Sequence, residues 1–393
     1  MRRLGTFTLA IVLVLQIAAT IRVAIRLVMT ASGSRIPTVA PADAPRGAVT
    51  VIVPVLNEEQ RLGPCLEGLM VQPSSVSEIL VVDGGSTDRT AEVVRRAADQ
   101  DARIRWIDAS PPPFNWNGKA WGLQIGLDHA GPASEWILTI DADVRPGPEL
   151  VSSLLAHMSD EGLDVCSVAT PQRVASPAEA MLHPSLLASL VYRYGIPGHA
   201  EMSPEAVQAN GQCFLVRAVV LRSLGGFEVG RDSVCEDVTV ARHLARAGFA
   251  IGFHEPVAAE TLVSVVMYSG WRDAWQNWTR SLPMRDGSSK RGWWLRMLDM
   301  SLLMGLPLPL VLGCRALSCS RHEDMTLLGL ACRLNGALLL MRCGVAIGMK
   351  RAYQDAPISY WLAPILDPAV VVKLWLSALT RTHSWRGRAV SRR

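Results

Sequence analysis

The chain is short of charge. Only 19% of its 393 residues are Asp, Glu, Lys or Arg, and mean hydropathy is positive at +0.22; a soluble enzyme carries roughly a quarter charged residues. Its 49% hydrophobic content excludes a disordered chain, and no Gly-X-Y period or cysteine framework is present. No Cys-x-x-Cys pair occurs among the eight cysteines, and no His spacing suits zinc. No GxxxxGK[ST] loop occurs, which excludes a P-loop. Lysine is scarce: Lys119, Lys290, Lys350 and Lys373 stand beside 35 arginines. Acid is missing from both ends. Residues 1–35 hold five Arg (Arg2, Arg3, Arg22, Arg26, Arg35), the tail from Arg381 holds five more, and without these ten the body carries −6. So acidic a body excludes a nucleic-acid partner, and basic ends beside apolar segments point to the cytoplasmic face of a membrane.

Residues 1–30 read as an uncleaved anchor. The run Leu9–Ala19 is apolar, Arg22 and Arg26 can snorkel, and Ala18-Ala19-Thr20 is a poor cleavage site. A Ser-, Pro-, Ala- and Gly-containing linker follows. From residue 48 to 285 the pattern changes: Val49–Val55, Glu78–Asp83 and Trp136–Asp141 are short runs rich in Val and Ile, each followed by a helical stretch. Alternating strands and helices predict a parallel α/β sheet covered on both faces, with ligands beyond the carboxyl ends of its strands. Residues 290–380 turn apolar again. Leu298–Leu312 is broken by Pro307 and Pro309, Leu327–Ile347 by Arg333 and Arg342, and Ile358–Leu379 carries Asp367 and Lys373. Membrane helices here, with the basic tail 381–393 on the cytoplasmic side, leave one segment re-entrant or interfacial, and the Pro-broken one fits. Cys314, Cys319, Cys332 and Cys343 act in this third as small hydrophobes.

The chemistry falls at the strand ends. Asp141 and Asp143 lie two apart, so both carboxylates leave one side of a strand end. Such a pair repels unless a cation compensates, and hard oxygens suit Mg²⁺ or Mn²⁺, which in turn grip a diphosphate; two loop aspartates would look the same. Asp83, before Gly84-Gly85-Ser86-Thr87-Asp88, can accept from a nucleobase N–H or a ribose hydroxyl, or mark an ordinary capped turn. Lys119, at a helix start within Asn115-Trp116-Asn117-Gly118-Lys119, can meet phosphate oxygens with help from the helix dipole. Glu236 and Asp237 open the helix Val238–Ala247. Asp237 is either a helix cap or a general base toward an acceptor hydroxyl. Trp271, Trp275, Gln276, Trp278, Arg280 and Arg285 form a Trp–Arg stretch of the interfacial kind. It is equally able to hold a lipid acceptor or, through Arg280, a departing diphosphate. His254 reads as a core or strand-end histidine.

Taken together, Pro54-Val55-Leu56-Asn57-Glu58-Glu59, Asp83-Gly84-Gly85-Ser86-Thr87-Asp88, Asn117-Gly118-Lys119-Ala120, Asp141-Ala142-Asp143, Gly225-Gly226-Phe227 and Glu236-Asp237 resemble family 2 glycosyltransferases in order and spacing. Within that family the Trp116–Trp121 block, Arg280–Asp286 and the apolar tail look like membrane enzymes that glycosylate carotenoids, or hopanoid-associated members. The resemblance implies a GT-A fold and a nucleotide-diphosphate sugar donor. It places Pro54, Leu56, Glu58 and Asp83 against the nucleotide, with Lys119 and Asp141 in the same donor site. It gives Asp141 and Asp143 a divalent cation and the diphosphate, makes Asp237 the base, and puts Glu236, Trp278 and Arg280 near acceptor or diphosphate. Two departures matter. Many members have a second Asp where this chain has Gly84, and the processive Gln-x-x-Arg-Trp block is only approximated at Gln276–Arg280. The expectation is therefore inverting transfer of one hexosyl or deoxyhexosyl unit to a membrane lipid hydroxyl, a carotenoid before a hopanoid or polyprenyl phosphate. A catalytically silent membrane scaffold of the same fold is the alternative of another class.

Overall fold

The runs rich in Val and Ile become strands because helices cover both of their faces. In the computed structural model, which describes residues 2–41, 48–199, 203–258, 262–280, 282, 288–320, 325–380, 382–385 and 388–391, ten strands belong to the α/β portion. They are β1 (Val49–Val55), β2 (Val76–Asp83), β3 (Ile104–Asp108), β4 (Trp136–Ile140), β5 (Val144–Pro146), β6 (Val165–Val168), β7 (Gln172–Arg173), β8 (Cys213–Arg217), β9 (Ile251–His254) and β10 (Val263–Val265). The main sheet runs β3-β2-β1-β4-β8-β6-β9. All pairings are parallel except those of β8, which runs against β4 and β6. A small second sheet pairs β10 antiparallel with β5.

Period two sorts the core. Val49, Val51, Val53 and Val55 of β1 point to one face, packing with Leu62, Leu66 and Leu69 of α2 (Leu62–Met70) and Leu150, Leu154 and Leu155 of α5 (Leu150–Asp160). Ile52 points to the other, with Leu80, Val82, Leu123 and Leu127 of α4 (Gly118–His129) and Val240 and Leu244 of α8 (Glu236–Arg246). α4 lies so close to β1 that a Cβ at Gly126 would strike Ile52. Between α2 and α4 in the chain comes α3 (Thr90–Ala98), and α6 (Pro177–Tyr194) and α7 (Ala218–Ser223) follow α5.

The chain divides into two compact units: one holds Gly33–Arg173, Pro197–Met267 and Thr380–Arg393, the other Met1–Ser32, Val174–Ile196 and Tyr268–Leu379. The second is helical and built from distant stretches: α1 (Arg2–Thr30), α6, α9 (Trp271–Asn277), α10 (Lys290–Met300), α11 (Pro307–Ser320), α12 (Met325–Met349) and α13 (Asp367–Leu379). α6 joins it because it is buried nearly all round; Ser176 caps its start, accepting from the Glu179 N–H at 3.2 Å. Gly5–Thr30, Thr326–Ala352 and Ile358–Leu379 are long and apolar enough to cross a membrane, by length and composition. Lys290–Gly305 and Pro307–Ala316 meet at 43°, the geometry of a broken span or a re-entrant segment. The π-helical turn Ser301–Gly305 before Pro307, which has no N–H to give, accounts for the bend.

Several polar groups inside this unit meet one another. Arg342 Nε lies 2.7 Å from Asp367 Oδ2, both buried. Arg22 pairs with the buried Asp299. Gln16 Nε2 donates to Asn335 Oδ1 at 2.8 Å and to the Leu302 carbonyl at 2.9 Å. Cys314 is buried, Cys332 half-buried and Cys343 exposed, all as free thiols; the side chains of Cys319, Arg280 and Arg285, and those of the basic tail, lie outside the described residues.

Candidate active site

Three parallel strands, β2, β1 and β4, end side by side, and the loops beyond them carry the acidic side chains. After β1 the chain turns at Asn57, whose φ is 56°, a left-handed value that Asn tolerates. Its N–H donates to Ser86 Oγ at 2.9 Å and its Oδ1 accepts from the Thr87 N–H at 2.8 Å, lacing the β1 and β2 loops together. Glu58 donates its N–H to Thr90 Oγ1 at 2.8 Å and faces Arg61 at 4.0 Å. Pro54 is half-buried and Leu56 buried just before the turn. Asp83, 3% exposed, accepts at Oδ1 from the Gly85 N–H (3.0 Å), the Ser86 N–H (2.8 Å) and Ser86 Oγ (2.7 Å).

Lys119 is the centre of the cluster. Asn117 caps α4, accepting from the Lys119 N–H at 3.0 Å, and so aims the first turn. The Lys119 ammonium then sits 2.8 and 2.9 Å from the two oxygens of Asp141 and 3.0 Å from Glu236 Oε1. Its three protons meet three carboxylate oxygens, tying the end of β4 to the start of α8. Burial alone would lower its proton affinity, but Asp141, Glu236 and Asp237 outweigh burial and hold the ammonium well above the usual lysine range.

The two remaining carboxylates are poised differently. Asp237, in the first turn of α8, accepts at Oδ2 from the Gly211 N–H and at Oδ1 from the Val238 N–H (2.8 Å). Burial and then the neighbouring Glu236 charge push it up to about 7, against the pull of Lys119. Asp143 is also raised to about 7, by burial and then by Asp141 and Glu58. Its Oδ1 is buried with no hydrogen-bond partner. An unspent anionic oxygen among other carboxylates fits a hard divalent cation. Among the described residues, no three Asp, Glu, His or Cys side chains group as a ready-made metal site.

Of the residues singled out from sequence, Asp141, Lys119, Glu236 and Asp237 come together directly. Asp143 joins through its interaction with Asp141, Glu58 and Lys119, and Asp83 lies at the neighbouring strand end, in register with Val55. Lys119, read as able to meet phosphate oxygens, pairs here with Asp141 and Glu236. Trp278 belongs to the helical unit and is buried there. His254 is a core residue, edge-on to His157 at 4.5 Å between ring centroids. Sequence reading overlooked Gly211, although Asn210-Gly211 is a turn dipeptide before a strand. A Cβ there would lie 2.9 Å from Lys119 Nζ and 3.4 Å from Asp237 Cβ.

A parallel-rich sheet with acidic side chains at its strand ends and one reversed strand defines the class of this unit: a GT-A fold. The solved mannosyltransferase PcManGT of Pyrobaculum calidifontis, in complex with GDP-mannose and Mn²⁺, shares this fold; a TM-score of 0.53 covers 92% of this chain and 98% of that one at 20% identity. Residues 50–224 match the model of Glycosyl transferase family 2. An undecaprenyl-phosphate 4-deoxy-4-formamido-L-arabinose transferase of Salmonella choleraesuis is 33% identical over 135 residues, 33% of this chain and 39% of that protein. Its counterpart in Salmonella paratyphi B is 32% identical over the same length. The chain thus spans about two-fifths of these curated relatives.

Proposed function

We propose that the chain is an inverting glycosyltransferase that moves one sugar from a nucleotide-diphosphate donor to a lipid acceptor in the membrane. The observation that carries this reading is the convergence of Asp141, Lys119, Glu236 and Asp237, with Asp143 beside them, beyond the carboxyl ends of β1, β2 and β4. Pro54, Leu56, Glu58 and Asp83 hold the nucleotide; Asp83 keeps its Oδ1 on the Gly85–Ser86 turn and offers Oδ2 to the base or ribose. A bound Mg²⁺ or Mn²⁺, for which Asp143 and Asp141 are the fitting ligands, supplies positive charge against the departing diphosphate. Lys119 and Glu236 keep the strand end and the helix start at a fixed separation, so the acceptor meets the anomeric carbon from the side of Asp237. One displacement inverts the anomeric centre, and the poor match to the processive block supports a single transfer. The apolar helices and acid-free ends support an integral membrane protein with this domain on the cytoplasmic face.

The relatives act on undecaprenyl phosphate, by name, and favour a polyprenyl phosphate acceptor here. Its reacting oxygen is already anionic and needs no strong base. A second reading, a carotenoid or hopanoid hydroxyl, is favoured by Asp237 standing at about 7, where a general base works best. Membranes given labelled sugar nucleotide and each acceptor test the two. Asp237→Asn should reduce transfer to a hydroxyl by on the order of 10²–10⁴, but transfer to polyprenyl phosphate by about tenfold or less. Loss of donor binding in step with transfer overturns the base assignment. Chelator should stop turnover and Mg²⁺ or Mn²⁺ restore it; full activity in chelator removes the cation from the reading.

A further inference from the structure

We propose that Lys373, with Trp275, Trp278 and Ser377, forms a binding site in the helical unit for the phosphate head group of the lipid acceptor. This rests on the polyprenyl phosphate reading above and names the residues that would select it.

Lys373 lies midway along α13, an apolar helix whose other charge, Asp367, is consumed by Arg342. Its ammonium stands 4.3 Å from the Trp275 ring centroid and 6.0 Å from that of Trp278. Two aromatic rings wall the cation in, which favours a charged lysine in a half-buried place. No carboxylate among the described residues pairs with it, whereas Arg22 and Arg342 in the same unit each meet a buried aspartate.

Two further donors stand unspent at this place. Trp278 is 1% exposed, and its Nε1 is buried without a hydrogen-bond partner. Ser377 follows Lys373 by one turn on the same helical face, and its hydroxyl is also buried without a partner. The unit does satisfy an indole when an acceptor is at hand, since Trp375 Nε1 donates to Ser301 Oγ at 2.8 Å. An ammonium, an indole N–H and a hydroxyl therefore share one lack, an anionic oxygen. A phosphate monoester supplies several, with the charge to balance the ammonium. A neutral carotenoid or hopanoid hydroxyl would leave the ammonium unbalanced. The long tail of such a lipid suits the exposed apolar side chains that α13 presents at Val372, Leu376 and Leu379.

The full chain in phosphatidylcholine nanodiscs provides the test. Undecaprenyl phosphate should change tryptophan fluorescence saturably, and the uncharged polyprenol of equal length should not compete. Lys373→Met should raise the KM for undecaprenyl phosphate at least tenfold with donor KM and kcat within twofold, and Lys373→Arg should retain wild-type values. Ser377→Ala, a gentler change, should raise the same KM two- to fivefold. An acceptor KM unmoved by Lys373→Met, while Asp143→Asn abolishes turnover, overturns the site and leaves the proposed function standing. Equal competition by polyprenol also overturns the site. Phosphatidylglycerol competing as well as undecaprenyl phosphate overturns the acceptor assignment and marks a site for bulk anionic lipid. Should Asp143→Asn leave turnover intact, the functional reading fails, and the fluorescence arm still decides whether the phosphate binds.

Discussion

In the helical unit, Arg342 and Asp367 meet at 2.7 Å with side chains 1% and 3% exposed, and Arg22 meets Asp299, so charge answers charge. In the α/β unit, Lys119 is shared between Asp141 and Glu236, while Asp143 keeps a buried oxygen that nothing meets, and Asp143 and Asp237 are both raised to about 7. Both arrangements put ionisable groups where water is scarce. The first balances each charge with an opposite one, and the second gathers more carboxylates than its one lysine balances. Unbalanced charge, rather than burial alone, separates a working site from a structural pair.

Four perturbations press on that contrast. Arg342→Met strands Asp367 and should cost about 3–5 kcal/mol, most of which Arg342→Met with Asp367→Leu should recover. Thermal unfolding in detergent checks this, and equal midpoints for wild type and the single variant would show that the pair does not support the fold. Asp143→Asn should do the reverse: a loss on the order of 10²–10³ in kcat, with a thermal midpoint equal to or above wild type. A variant less stable than wild type would place Asp143 among the structural charges.

The third is a pH response. Asp143 and Asp237 hold protons more tightly folded, at about 7, than in an unfolded chain, at ~3.9. The folded state therefore binds more protons between about pH 4 and 7, and these two groups lower stability as pH rises through that window, with no further change above it. Midpoints measured without donor or cation should show this decline, and Asp143→Asn should flatten it. An identical slope in the variant would mean that Asp143 is not raised. The smallest effect belongs to Asn117→Ala, which removes the α4 cap and should cost about 1 kcal/mol in chemical denaturation. A change in kcat larger than the change in stability would show that the cap also aims Lys119.

Much of the α/β unit was legible because its strands are covered on both faces and read as plain apolar runs. β1 was found to the residue, and β2 begins two residues earlier than expected, at Val76. α8 starts at Glu236 rather than Val238, because its two acids occupy the first turn. The acidic positions were legible too, since strand ends are where such sheets bind ligands. Pairings across long stretches of chain were not. Nothing local says that Lys119 will close on Asp141 and Glu236, or that Arg342 will find Asp367. Nor does the pattern of α6, apolar on most sides, say which unit it joins; that depends on helices far away in sequence. Gly211 escaped notice because its contribution is a backbone N–H, and side-chain chemistry gives no hint of one.

The reversed direction of β8 has a topological consequence. A strand laid against its neighbours begins where they finish, so the turn at Asn210–Gly211 arrives at the same rim that β1, β2 and β4 reach only as they leave the sheet. The pocket thereby gains a main-chain donor from an incoming segment, fixed by the sheet's own hydrogen bonds and beyond the reach of side-chain replacement at most positions. It donates to Asp237 Oδ2, close beside the Lys119 ammonium. Had β8 run with the others, this turn would open on the far rim, and the helix carrying that carboxylate would need another tether.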